Sequence, residues 1–153
     1  QINETYRLRS EVLREHLPLK LAAYERATLF LERISPDNLL ARVNPYQKKV
    51  QQFTMELKGE IQSEYEHNLA QQIYISPQAW QLLRAAKEDL SGIVSRVAKG
   101  LPAEEEAIQL SLKVLETYMN RPENPVRKAI MVLKMDIHRI FQLEPSHASE
   151  SDG

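Results

Sequence analysis

Four times in this chain a helix-capping residue stands directly before a proline: Ser35-Pro36, Asn44-Pro45, Ser76-Pro77 and Asn124-Pro125. The Ser or Asn side chain can accept a bond from one of the N–H groups that the first helical turn leaves free. Proline at the first helical position loses nothing by lacking its own N–H. Ile34 can pack on Leu39, and Ile75 on Trp80, because the residue before the cap meets the fourth helical residue. Leu101-Pro102, followed by Glu104, Glu105 and Glu106, reads as a fifth start, with carboxylates suited to the positive end of the helix dipole. A chain punctuated in this way is built from helices.

The apolar spacing between the starts is helical. Residues 77–99 place Ala79, Leu83, Ala86, Leu90, Ile93 and Val97 on one stripe, and Gly100 is a natural stop. Residues 125–142 do the same with Val126, Ile130, Leu133, Ile137 and Ile140. Residues 103–119 carry Ala107, Leu110, Val114 and Tyr118, with Ile108, Leu112 and Leu115 widening the face. Residues 45–73 read as one long helix with Val50, Phe53, Leu57 and Ile61, then Tyr65, Leu69 and Ile73. Gly59 inside it permits a close helix crossing or marks a local weakness. Residues 36–43 form a short linking helix. No segment alternates like a strand. The expected fold is all-α: a single bundle of about five main helices.

The N-terminal stretch 2–34 also reads as helix, and Pro18 is expected to kink or break it near residues 15–17. Before Pro18 the apolar pattern is thin, with Tyr6, Leu8, Val12, Leu13 and Leu17. After it the pattern is dense, from Leu19 to Ile34. Residues 1–17 are therefore expected to form a helical arm or stalk, and residues 18–143 the bundle. Residues 144–153, EPSHASESDG, are expected to be a disordered acidic tail.

Composition excludes several classes. With no cysteine there is no disulfide or Cys-metal scaffold. Four glycines, Gly59, Gly92, Gly100 and Gly153, are too few and too scattered for a phosphate-cradling loop. The net charge of −1 combines a −3 tail with a body at +2, which gives no electrostatic drive toward nucleic acid. No cofactor is indicated, and no Gly-x-Ser-x-Gly elbow offers a serine nucleophile. The chain reads as a non-enzyme.

The best chemical candidate is Glu64-Tyr65-Glu66-His67. Glu-x-x-His puts a carboxylate and an imidazole on one helix face, as carboxylate-bridged metal bundles require. Here it occurs once, where such bundles use it on two helices. Glu64, Asn68 and Gln71 also continue the line of Val50, Phe53, Leu57 and Ile61, so polar groups on a core-facing line must find partners. Tyr24, Glu25 and Arg26 lie in an otherwise apolar segment and could supply them. Two readings stand: a satisfied polar network that fixes helix register, or a pocket for a ligand, metal or peptide. The last helix carries Arg127, Lys128, Lys134 and Arg139 against Asp136, a modest basic face and a weak nucleic-acid alternative. Met131 and Met135 read as core filler.

At LPLKLAAYERATLFLERISPDNLLARV (residues 17–43) and EYEHNLAQQIYISPQAWQLLRAAKEDL (residues 64–90) the chain resembles an uncharacterised bacterial family. Its members are small helical proteins with one N-terminal membrane helix followed by a soluble helical domain. The resemblance covers most of residues 5–143. It implies no catalytic residues. It implies an apolar anchor ahead of Gln1, a stalk leaving the inner membrane, and a domain on its cytoplasmic side. The resulting expectation is a membrane-tethered protein–protein interaction module with an unknown protein partner. Self-association would run through the arm, with Tyr6, Leu8, Val12 and Leu13 in contact.

Overall fold

Three of the four cap–proline pairs open helices in the computed structural model, which describes residues 1–143. Ser35-Pro36 starts α2 (Pro36–Arg42), Ser76-Pro77 starts α4 (Pro77–Lys99), and Asn124-Pro125 starts α6 (Pro125–Leu143). Ser76 Oγ accepts from the Ala79 N–H at 3.2 Å, and Asn124 Oδ1 from the Arg127 N–H at 3.2 Å. The remaining helices are α1 (Ile2–Ile34), α3 (Val50–His67) and α5 (Ala107–Met119), with a 3-10 turn at Leu69–Ile73. The fold is all-α. The acidic segment 144–153 lies outside the described residues.

Pro18 does not break the chain's first helix: α1 runs unbroken through it for 33 residues. Proline cannot donate to the Arg14 carbonyl. Both residues are exposed, so water can satisfy that carbonyl and the helix continues. The arm of residues 2–17 is thus the first half of α1 rather than a separate element.

Asn44-Pro45 and Leu101-Pro102 do not start helices, and their failure has one cause. The two connections pair with each other. The Val50 N–H donates to the Glu105 carbonyl at 2.9 Å, Gln51 N–H to Ala103 at 3.1 Å, and Ala107 N–H to Lys48 at 3.0 Å. An isolated bridge joins Lys49 and Glu106. The free N–H groups at the start of α3 are therefore taken by carbonyls 55 and 52 residues away in sequence, and both helices begin four or five residues late. Asn44 instead accepts from the Tyr46 N–H at 2.9 Å in a local turn, and Gln47 takes a positive φ of 61°.

The long helix expected to reach Ile73 stops at His67. The following turn leaves Ile73 exposed, and Leu69 partly so. The stripes otherwise bury as spaced. Ala79, Leu83, Ala86, Leu90 and Ile93 of α4 are buried, as are Val50, Phe53, Leu57 and Ile61 of α3. Helix α4 lies at the centre and packs against α1, α3, α5 and α6. Both staple pairs, Ile34 with Leu39 and Ile75 with Trp80, enter the one buried cluster. Leu112 of α5 and Met131 and Met135 of α6 are exposed, so they widen no core face and fill no gap.

Candidate functional site

Tyr24 is the one residue of the expected polar group that enters the core. Its ring is buried, and its hydroxyl donates to Asp136 Oδ2 at 2.8 Å. Ser76 Oγ donates to the same carboxylate oxygen at 2.6 Å, and the Ser76 N–H donates to the Tyr24 hydroxyl at 3.2 Å. Three helices meet here: the middle of α1, the cap of α4 and the middle of α6. Both hydroxyls of this knot have partners, which is what a polar network needs to fix register. Burial is the leading cause holding the Tyr24 phenol above its usual range.

Glu64 lies elsewhere. Its Oε1 accepts from Arg33 Nε at 2.9 Å and Nη2 at 2.6 Å, with Arg42 Nη1 at 3.6 Å. The Arg33 bond is the leading cause that lowers the Glu64 carboxyl below its ordinary range. His67 is exposed and donates from Nδ1 to the Ser63 carbonyl at 2.7 Å. Asn68 caps the end of α3 by donating to the Glu64 carbonyl at 2.8 Å. Gln71 sits half-buried in the 3-10 turn, off the line it was expected to extend. Glu25 and Arg26 are exposed on α1.

The seven residues therefore do not converge on one pocket. Tyr24 works with Ser76 and Asp136, and Glu64 with Arg33 and Arg42. Among the described residues, no group of three or more His, Cys, Asp or Glu could hold a metal ion. The partners missed in the sequence are Asp136, Ser76, Arg33 and Arg42. Asp136 carried a visible signal: it is the only acidic residue on a basic helix.

Among the described residues, two apolar surfaces bear on function. One is the arm. Ile2 is 87% exposed, Leu8 60%, Tyr6 57% and Val12 55%. Eighteen residues span about five helical turns, so Tyr6, Val12 and Leu13 stand on the same sides of α1 as Tyr24, Phe30 and Leu31. The last three are buried in the core. The arm thus repeats the core-facing pattern of its own helix beyond the end of the bundle.

The other surface is a groove of about 620 Å³ between α1 and α6. Leu21, Leu29, Ile137 and Phe141 give it an apolar lining, and Tyr24 lies at its base. Glu25 and Glu32 stand on the α1 wall; Lys134 and His138 stand on the α6 wall. All four charged or titratable side chains are on exposed residues.

Among the described residues, no helix is long and apolar enough to cross a membrane. No curated protein and no solved structure matches the chain. A family model matches residues 1–140, nearly the whole described chain, and by that match the chain belongs to DUF7935, a family of unknown function.

Proposed function

We propose that this chain is a non-enzymatic protein–protein interaction module that self-associates through the first half of α1. The observation that carries the reading is the five-turn repeat: Tyr6, Val12 and Leu13 continue the sides on which Tyr24, Phe30 and Leu31 are buried, yet Tyr6 and Val12 are exposed and Leu13 is only partly covered. An apolar stripe of about 24 Å, 16 residues at 1.5 Å each, loses free energy to water until another surface covers it. The resemblance supports the topology. The arm is the stalk, and a segment ahead of Gln1 anchors it in the bacterial inner membrane with the bundle on the cytoplasmic side. Membrane tethering concentrates copies and brings their arms together.

Light scattering on the full chain and on a chain lacking residues 1–16 tests this reading. The full chain assembles, and the deletion weakens assembly while leaving the melting temperature of the bundle nearly unchanged, because no residue before Ala23 in α1 is buried. A strict monomer that the deletion does not alter would sink it.

A further inference from the structure

The geometry points to a second contact between copies, a two-fold dimer built on the groove between α1 and α6. This inference goes beyond the arm and does not depend on it. The groove's floor is apolar and its walls carry opposite charge: Glu25 and Glu32 on α1, and Lys134 on α6, with the His138 ring beside it. That arrangement selects its occupant. A face with one acidic wall and one basic wall is self-complementary under a two-fold axis running along the groove. Half a turn about such an axis sets α1 of each copy over α6 of the other. Glu25 and Glu32 then face the partner's Lys134 and His138 on both sides, and the apolar side chains Leu29 and Phe141, 58% and 50% exposed, are covered.

A single amphipathic peptide with like-charged flanks would meet a repulsive wall on one side. A second copy meets none. Because the axis runs along α1, the rotation keeps the direction of that helix. Both arms leave the dimer at the same end, side by side.

The test is a charge-reversal complementation on the full chain, read by light scattering. One variant reverses the acidic wall (E25K/E32K) and the other the basic wall (K134E/H138E). The unaltered chain scatters at twice its 17.7 kDa mass. Either variant alone carries two walls of one sign, and it assembles at higher concentration than the parent, held by the arm alone. An equimolar mixture restores the doubled mass, because each wall again faces its opposite. The inference is overturned if the unaltered chain is a monomer, if either variant assembles alone as well as the parent, or if the mixture assembles no better than the variants do alone. Weaker but not abolished assembly on deleting residues 1–16, with complementation intact in the full chain, separates the arm from the groove. Complementation without any effect of the deletion overturns the arm reading and leaves the groove dimer standing.

Discussion

The Tyr24 hydroxyl of α1 donates to the Asp136 carboxylate of α6 at 2.8 Å, across 112 residues of sequence. That bond and the one from Ser76 lock the helix that carries the arm to the helix that forms the far wall of the groove. Both proposed contact surfaces depend on it, since it sets the spacing of the groove walls and the direction in which the arm leaves the bundle.

Tyr24→Phe removes one donor to a carboxylate and strips the Ser76 N–H of its acceptor. Bonds to charged groups are worth about 1.5–3 kcal/mol. Asp136 is only half-buried, so the expected cost is about 1.5 kcal/mol, near the low end of that range. Thermal unfolding should show a drop of about 3–5 °C for a chain of this size. A melting temperature equal to the parent's would show that the bond holds nothing in place.

Alkaline pH probes the same residue. Tyr24 and Tyr118 both have their phenol pKa raised above 10.0, with burial the leading cause. The folded state prefers the neutral phenol, so this contribution is fully present below the unfolded pKa and is lost as pH rises through the folded values. Urea midpoints are expected to fall as pH passes 10. Tyr24→Phe should flatten part of that fall.

At the acid end the sign reverses. The Glu64 carboxyl lies below its reference value of 4.5, chiefly because Arg33 donates to it. Its contribution is present above the unfolded pKa and is lost as pH falls through the lower folded value. Glu64→Gln should make the acid limb of the stability curve shallower. The effect is expected to be small, because Arg33 is well exposed and solvent screens the pair. An unchanged acid limb would place the pH dependence on other carboxylates.

Gly59 interrupts α3 with no close neighbour: a Cβ built there meets nothing within 4 Å. Of the two readings its sequence position allowed, the close crossing is ruled out and the weakness remains. Gly59→Ala should raise stability by about 0.5–1 kcal/mol, since alanine loses less backbone entropy in a helix. Chemical denaturation reads this directly, and a loss of stability would indicate a contact that the structure does not contain.

What was legible in the sequence was what one segment decides alone. Ser76 and Asn124 before proline announce α4 and α6, and the spacing of Leu83, Leu90 and Ile93 announces a buried stripe. What failed depended on segments meeting. Lys48–Val50 pairs with Ala103–Ala107, so neither Asn44-Pro45 nor Leu101-Pro102 opens a helix. Nothing local signals that pairing. The candidate site failed for the same reason. Glu64 was read against Tyr24 because both stood out among apolar neighbours, but α3 ends before Asn68, and Glu64 inside it pairs with Arg33. The Tyr65 ring, stacked on Trp80 at 5.9 Å and capped by Lys87 Nζ at 4.5 Å, was equally hidden in the spacing.

The absence of cysteine makes the central claim directly measurable. Val12→Cys gives one labelling site in the full chain, on the arm and away from every hydrogen bond described above. A spin label there reports the distance between arms of neighbouring copies by pulsed electron resonance. Arms that pack side by side have axes about 8–10 Å apart, so the account predicts a defined distance between labels on the order of 10–25 Å once the label arms are included. A signal with no intercopy distance, at concentrations where light scattering shows assembly, would contradict the claim that the first half of α1 is the contact.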